Sequence, residues 1–350
     1  MKPRVLFVLR YRENYDISPA AAPSDKELSS GLTNSARFVV DMLKNEMYDV
    51  KLVQVVDNNQ IDKECYLYKP DVVIIESLWV VPEKFDVLQR LHPNIKWVIR
   101  GHSEVPFLAN EGIAMNWLSR YVGYENVFIA LNSESSYSDI KKFIQYSYKN
   151  KPLSWVDSKV GLLPNYYPIS YTKPSKKTSL NIACFGAIRP LKNQLIQALA
   201  AIQYAEETGQ ILKFHINGTR AEQGGNNVLK NLRELFADTH HELVEHPWMP
   251  HNEFLDLLKQ MTASMQCSYS ESFNIVAADS VVNGVPVVTS PAISWVNRLC
   301  QADPNATEDM VSKLRFICNP IVSLVVNWLN LQGLKNYCRT SKNLWLNFLK

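Results

Sequence analysis

Short apolar runs alternate with amphipathic stretches along the first half of the chain. The apolar runs predict buried strands, at residues 5–9, 50–56, 72–76, 97–100 and 127–131. The stretches with helical spacing predict helices, at residues 31–45, 82–91 and 135–146. Strands separated by helices in this order are typical of a parallel sheet covered by helices on both faces. Ligands of such sheets bind beyond the carboxyl ends of the strands.

A second alternating series follows a polar stretch at 166–179 that contains Pro168 and Pro174. Its predicted strands and helices lie at 180–185, 193–208, 211–216, 228–236 and 252–260, and the remainder from 292 onward is predicted to be helical. A chain of 350 residues is long enough for two α/β domains. The predicted organisation is a first domain at 1–165, a linker at 166–179, a second domain at 180–330 and a final helix at 331–350.

Composition narrows the class of protein. With 46% hydrophobic and 20% charged residues, the chain can form large hydrophobic cores. Its net charge of +3 is low for a dedicated nucleic-acid-binding protein. The six cysteines show no C-x2-C spacing, so we expect no structural zinc site. Three of them lie within apolar runs, where we expect a buried, reduced thiol. No signal peptide is evident, and no apolar run reaches the roughly 20 residues that cross a bilayer. We therefore expect a cytoplasmic, soluble protein without a transmembrane segment.

The segment 267–291 contains the most informative chemistry. It predicts the end of a strand, a loop carrying Glu271, a short helix carrying Asp279, a stop at Asn283-Gly284 and a buried strand at 285–289. Two carboxylates eight positions apart can face a crevice beyond the strand ends. The helix N-terminus between them offers free amides to an anion. This arrangement suits a ligand with both phosphates and hydroxyls, such as a nucleotide-sugar.

The same segment resembles the E-x7-E region of retaining glycosyltransferases of the GT-B fold, the group that includes sucrose-synthase-like enzymes and many mannosyl- and glucosyltransferases. The resemblance implies that Glu271 contacts the hydroxyls of the donor sugar. It implies that Asp279, where the group usually carries Glu, contacts the ribose. The amides expected against the diphosphate or sugar are those of Ser272, Phe273, Asn274 and Ile275.

Further motifs follow the order of the same group. Residues 181–193 are similar to its strand-Gly-Arg-Lys element, so Gly186 would mark the turn while Arg189 and Lys192 neutralise the donor diphosphate. Residues 97–102 resemble a strand ending in an active-site histidine, here His102. Gly31 stands where relatives carry a glycine-rich loop before the first helix. Residues 160–168 and 214–218 resemble the Pro-Asn turn that closes the first domain and a strand-Gly element of the second.

The resemblance implies a GT-B fold: two Rossmann-like, doubly wound domains facing a central cleft, with the last helix returning to the first domain. A cation beside the diphosphate stabilises the negative charge on the leaving group. The guanidinium of Arg can contact two phosphate oxygens at once, whereas the ammonium of Lys acts as a point charge. No Asp-x-Asp motif is present, so we expect neither an essential metal nor another cofactor. The predicted enzyme is a retaining hexosyl or pentosyl transferase, with its acceptor hydroxyl near His102 and the loop at 11–30.

Several alternatives stay open from sequence. Arg189 and Lys192 could be solvated cations of a surface turn, Glu271 a helix-capping carboxylate, Asp279 a solvent-facing residue and His102 a packed histidine. Glu104 is a weaker candidate for an acceptor-side base. The histidines at 240, 241, 246 and 251 lack the H-E-x-x-H spacing of a zinc protease.

The function also has rivals. The acceptor could be a hydroxymethylated base in DNA, as in phage glucosyltransferases, approached along a basic rim formed by Lys141, Lys142, Lys149, Lys151, Lys173, Lys176 and Lys177. A nucleotide-sugar epimerase and a non-catalytic nucleotide-sugar binding protein are the other two alternatives.

Overall fold

The computed structural model describes residues 2–10, 31–172 and 179–350, which divide into two compact units. Among these residues, unit 1 comprises 2–10, 31–168 and 338–350, and unit 2 comprises 169–172 and 179–337. The loop predicted at 11–30 and the lysines at 173, 176 and 177 lie outside the described residues. Each unit is built on a parallel sheet with helices packed against it.

Unit 1 contains six strands in the order β2-β1-β3-β4-β5-β6. The strands are β1 (Val5–Arg10), β2 (Val50–Val55), β3 (Val72–Glu76), β4 (Lys96–Gly101), β5 (Val127–Leu131) and β6 (Val160–Leu162). The helices are α1 (Gly31–Asn45), α2 (Gln60–Tyr68), α3 (Lys84–Leu91), α4 (Val105–Leu108), α5 (Ala114–Gly123), α6 (Glu134–Ser147) and α7 (Leu153–Lys159). The central strands are buried on both faces, which is why they are continuous apolar runs rather than alternating ones.

Unit 2 contains five strands in the order β11-β10-β7-β8-β9. The strands are β7 (Leu180–Ala183), β8 (Leu212–Ile216), β9 (Glu242–Glu245), β10 (Ala263–Gln266) and β11 (Val287–Thr289). The helices are α8 (Gln194–Thr208), α9 (Gly225–Ala237), α10 (His251–Leu258), α11 (Ile275–Val282), α12 (Thr307–Ile317) and α13 (Pro320–Phe348), with short 3-10 helices at Pro190–Lys192 and Arg298–Cys300.

Helix α13 is divided between the two units: its residues up to 337 belong to unit 2 and those from 338 belong to unit 1. In unit 1 the indole of Trp345 is fully buried, lies 5.7 Å from the ring of Phe7 and donates a 2.8 Å hydrogen bond to the carbonyl of Pro164. Leu349 joins the same core cluster. The end of the chain is thus part of the first unit's core.

Two expectations from composition can be compared with the structure. All six cysteines are free in the structure, five of them buried and Cys318 half-buried. Burial raises the pKa of the Cys184 thiol to about 12. Among the described helices none is alone long and apolar enough to cross a bilayer, while α12 and α13 meet that test of length and composition only as a pair bent by 101°.

Candidate functional site

The order of the strands in unit 2 reverses beside β7, because β8 and β9 follow it on one side and β10 and β11 on the other. The carboxyl ends of β7 and β10 therefore flank a topological switch point, where open α/β sheets bind their ligands. Gly186 follows β7 with a φ of +116°, a conformation that L side chains rarely adopt, and its amide donates to Asn217 Oδ1 at 2.8 Å. Glu271 follows β10 on the adjacent loop.

Lys192 and Glu271 meet at this edge of the sheet. The ammonium of Lys192 forms an ion pair with Glu271 Oε1, and the two side chains are 23% and 10% exposed. The same carboxylate oxygen accepts a 2.9 Å hydrogen bond from Ser268 Oγ. The backbone closes the contact, since the amide of Tyr269 donates to the carbonyl of Leu191 at 2.9 Å. Two segments 79 positions apart are therefore joined by side chains and backbone.

Asn274 organises the loop between Glu271 and helix α11. It has a φ of +62°, and its Oδ1 accepts the amide of Ala277 at 2.9 Å, so Asn274 is the N-cap. Its Nδ2 donates to Gln266 Oε1 at 2.9 Å and to Glu271 Oε1 at 3.1 Å. The alternative that Glu271 caps the helix is therefore wrong: Asn274 caps it and also holds the carboxylate.

The neighbouring residues of this loop have different environments. Phe273 is buried, its ring stacks 5.1 Å from that of Tyr337, and its carbonyl accepts a 2.8 Å hydrogen bond from Trp295 Nε1. Ile275, the first residue of α11, is half-buried. The loop is thus anchored by an aromatic side chain while its polar edge remains at the carboxyl end of β10.

Asp279 is the fifth residue of α11 and is only 1% exposed. Its Oδ1 lies 2.9 Å from Nε2 of His251, the first residue of α10. The alternative of a solvent-facing Asp279 is therefore wrong. Sequence reasoning grouped His251 with three other histidines and did not connect it with this carboxylate.

Arg189 lies in an ionic cluster on the other side of β7. Glu222 pairs with Arg189 through one oxygen and with Arg220 Nε through the other, at 2.6 Å for the latter contact. Burial raises the pKa of Glu222, but the two guanidinium groups outweigh burial and the net shift is downward. The guanidinium of Arg220 also lies 4.2 Å from the ring centre of Trp248. Since Arg189 and Lys192 are both partly buried and paired, neither is a solvated surface cation.

A second polar cluster lies at the carboxyl edge of the sheet in unit 1. Glu76 ends β3 and Arg100 lies near the end of β4; both are fully buried and paired, with Arg100 Nη1 at 3.2 Å from Glu76 Oε1. Arg100 also donates to the carbonyl of Leu163 at 3.0 Å and to Asn165 Oδ1 at 2.7 Å. Asn165 Oδ1 in turn accepts the hydroxyl of Ser35, at 2.6 Å.

His102 extends this cluster. Its Nε2 contacts Glu76 Oε2, and its Nδ1 lies 3.4 Å from the side-chain amide of Asn132. Burial lowers the pKa of His102 although Glu76 acts in the opposite direction. Burial raises the pKa of Glu76, but Arg100 and His102 reverse the shift and lower it. At neutral pH the pair is therefore a carboxylate and a neutral imidazole, and since a carboxylate only accepts, Nε2 carries the proton.

The remaining predicted residues of unit 1 give less support for a site. Gly31 begins α1, and among the described residues a methyl group added there would meet nothing within 4 Å, so packing against them does not require glycine at this position. Glu104 is buried and accepts a hydrogen bond from Ser133. Lys141, one member of the suggested basic rim, is paired with Asp157.

The four histidines at 240, 241, 246 and 251, which are close in sequence, are dispersed in the structure. His246 stacks on His215 and His251 pairs with Asp279, while His240 and His241 lie beside Glu206. His241 Nδ1 accepts the amide of Leu212 at 3.2 Å, so Nε2, which faces Glu206, carries the proton. A histidine that binds metal normally donates a proton from its other nitrogen instead, and this arrangement argues against a metal site there.

Comparisons with solved structures agree on the fold. S. aureus TarM, solved with fondaparinux, α-GlcNAc-glycerol and UDP, matches 80% of this chain and 55% of its own at 13% identity and a TM-score of 0.58. An apo structure of OtsA matches 99% of both chains at 11% identity and a TM-score of 0.67. A UDP-forming α,α-trehalose-phosphate synthase from Burkholderia xenovorans matches 99% of this chain and 98% of its own at 11% identity and a TM-score of 0.63. At such identities the likeness shows the fold, which is GT-B as predicted; this chain spans only about half the length of TarM.

The family comparison concerns the second half of the chain. Residues 157–308 match the model described as Family 4 Glycosyltransferase in conflict systems. No curated protein sequence matches the chain. The family match and the GT-B fold together support a glycosyltransferase, and the matched region contains every predicted site residue of unit 2.

Proposed function

We propose that this chain is a retaining glycosyltransferase of the E-x7-E group, which moves a sugar from a nucleotide diphosphate sugar to an acceptor hydroxyl. The observation that carries the proposal is the meeting of Lys192 with Glu271 at the switch point of the sheet in unit 2, beside the start of α11. A cation and a hydroxyl-binding carboxylate are the two groups that a sugar diphosphate needs there.

Arg189 and Lys192 would hold the diphosphate. Each already has a carboxylate partner, Glu222 for the first and Glu271 for the second. Phosphate oxygens of the donor would compete for both cations, and Glu271, relieved of Lys192, would then accept hydrogen bonds from the sugar hydroxyls. The positive charges would stabilise the diphosphate as it leaves, without a metal ion.

Asp279 would bind the ribose of the nucleotide, and we propose His251 as the residue that orients its carboxylate. Asp279 is held at 2.9 Å from His251 Nε2, so one of its two oxygens is fixed by a neighbour within the unit. TarM was solved with UDP and the Burkholderia enzyme is named as UDP-forming, so uridine nucleotides are the first donors to test.

His102, with Glu76 fixing its ring, would serve the acceptor hydroxyl. In the retaining mechanism the leaving phosphate oxygen takes the proton of the acceptor, so the histidine need only bind and orient. The acceptor would be a hydroxyl of a glycan, a lipid or a small molecule, and the pairing of Lys141 with Asp157 gives no support to a DNA-binding rim.

Donor binding is the first test. UDP-glucose, UDP-N-acetylglucosamine, GDP-mannose and ADP-glucose would each be added to the full chain, and the correct donor raises the melting temperature because it binds only the folded state. Release of the nucleotide diphosphate, with water as acceptor, then measures turnover. Stabilisation without release, both with water and with a panel of glycan, lipid and small-molecule acceptors, would support the non-catalytic alternative and contradict the enzyme.

The site is tested by Lys192→Ala, with Lys213→Ala as the matched control. Lys213 lies on β8 of the same unit and pairs with Glu242 at the surface, away from the proposed donor groups. We expect the first variant to lose about 100- to 1,000-fold in turnover, as when one charge-stabilising group is removed. The control should keep its turnover. Normal turnover in Lys192→Ala, or a product of inverted anomeric configuration by NMR, would contradict the proposal.

A further inference from the structure

The first nine residues of α13, Pro320–Trp328, expose a row of large apolar side chains. Their relative exposures are 77% for Ile321, 61% for Leu324, 54% for Val325 and 60% for Trp328. Spacings of three, four and seven residues place all four on one face of the helix. The opposite face is buried, at Val326, Asn327 and Asn330. We call the four exposed residues the α13 stripe.

A stripe of this kind indicates an interaction surface. Single exposed apolar residues are common, but a contiguous row on one helix face marks a site that another surface covers. Within the described ranges these four side chains remain exposed in unit 2, so the covering surface lies outside them.

The charged residues of α13 are all cations. No Asp or Glu occurs after Asp309, and the last 41 residues contain six cations, Lys313, Arg315, Lys335, Arg339, Lys342 and Lys350. Lys335 follows Trp328 by seven positions, so it continues the same helix face, and it is exposed. Arg315 is already paired with Glu207 and Lys342 with Glu46, so both contribute little. The stripe therefore leads into positive charge with no acidic residue on its own helix.

This combination disfavours a second copy of the chain as the occupant. Parallel pairing of two stripes would bring the Lys335 side chains towards each other without a carboxylate on α13 to neutralise them. A standard protein interface also uses about 20–30 residues on each side, and the stripe supplies four. A bilayer has no such minimum, because each inserted apolar side chain contributes separately.

We propose that the α13 stripe docks on the surface of an anionic lipid bilayer. Ile321, Leu324 and Val325 would enter the boundary of the acyl chains, and Trp328 would lie at the headgroup level, where tryptophan is enriched. Lys335 would face the anionic headgroups, whose attraction for a cation extends about a Debye length. The proposal goes beyond glycosyl transfer and does not depend on it.

The test is flotation of the full chain with vesicles. We expect binding to phosphatidylcholine vesicles containing 40% phosphatidylglycerol, and about tenfold weaker binding to phosphatidylcholine alone. The double variant Ile321→Gln with Trp328→Gln should bind the anionic vesicles about tenfold more weakly, and Lys335→Glu about fivefold more weakly. Tyr66→Gln, a change at a 72%-exposed aromatic residue of α2, is the matched control and should bind normally.

The variants replace exposed side chains, so circular dichroism and the melting temperature should match those of the unaltered chain. Failure of the unaltered chain to bind anionic vesicles would overturn the proposal. So would equal binding by the stripe variants and by Tyr66→Gln. A dimer in gel filtration that Trp328→Gln dissociates, with no vesicle binding, would identify a second copy as the occupant and reject the bilayer.

Discussion

The two units place charged groups at the same edge of similar sheets but differ in how accessible those groups are. In unit 1, Glu76 and Arg100 are 0% exposed and are bonded to each other and to backbone. In unit 2, Lys192 is 23% exposed and its partner Glu271 10%. A buried pair loses a great deal when separated, whereas a partly hydrated pair loses little. The Glu76–Arg100 pair is therefore suited to a structural role. The Lys192–Glu271 pair is suited to a site where a ligand replaces one partner of the ion pair.

The largest expected effect comes from breaking the buried pair. Arg100→Ala leaves Glu76 charged and unpaired in the core and removes the hydrogen bonds to Leu163 and Asn165. We expect the free energy of unfolding of unit 1 to fall by about 3–5 kcal/mol. Urea unfolding followed by circular dichroism measures it. A loss below about 1 kcal/mol would mean that the pair is not a structural framework.

A change of pH tests both units through their histidines. Burial and, to a smaller extent, the nearby His246 lower the pKa of His215 to about 4. Burial also lowers the pKa of His102. Both histidines have a higher pKa in the unfolded chain, so protonation favours unfolding. Their contribution to the free energy of unfolding is therefore fully present above about pH 6.5 and is lost as the pH drops towards 4. For His215 the slope is at most about 1.4 kcal/mol per pH unit. Urea midpoints between pH 7.5 and 4.5 measure it, and His215→Asn should reduce the slope; an unchanged slope would contradict the assignment.

The loop that carries Arg189 is fixed by backbone contacts. Ile188 exchanges hydrogen bonds with the segment at 220–222, and a methyl group at Gly225 would overlap the carbonyl of Ile188. We expect Gly225→Ala to lower the stability of unit 2 by about 1–3 kcal/mol and to weaken donor binding, because the loop must move. Chemical unfolding and titration with UDP measure the two effects. Gly112→Ala, at a position where an added methyl group meets nothing within 4 Å among the described residues, is the control.

The smallest effect on stability should come from the accessible pair. Glu271→Gln keeps the hydrogen bonds from Ser268 and Asn274 available and removes only the charge opposite Lys192. We expect a change of at most about 1 kcal/mol in the free energy of unfolding, together with a large loss of sugar transfer. A loss of stability comparable to that of Arg100→Ala would show that the Lys192–Glu271 pair is as structural as the Glu76–Arg100 pair. The proposed difference between the two units would then be wrong.

The elements predicted best from sequence are those whose bounds a single sequence feature determines. Strands β3 and β5 have the predicted bounds because uninterrupted runs of apolar residues, buried on both faces, define them. Helix α2 was not predicted: it buries only Ile61 and Cys65 and so lacks a periodic apolar face. Helix α9 begins at Gly225, three residues before its predicted start, because its first turn is polar.

The site residues were predicted individually, but their partners were not. Glu222, His251 and Glu76 stand 33, 28 and 26 positions from Arg189, Asp279 and His102, the groups they contact. Such contacts depend on where strands end within a sheet, and no local pattern encodes them. Only one feature of the sequence could have indicated the contact between Glu76 and His102. Glu76 ends a predicted strand, so it lies at the same edge of the sheet as His102, where polar groups converge.

Helix α13 has a consequence for how the protein is made. The core of unit 1 contains Trp345 and Leu349, although the rest of that core is complete by residue 168. During translation the nascent first unit must therefore leave the ribosome with a gap beside Phe7, and the entire second unit is synthesised before that gap is filled. Until residues 338–350 are synthesised, the apolar surface around Phe7 lacks the indole of Trp345 that packs on it in the folded unit.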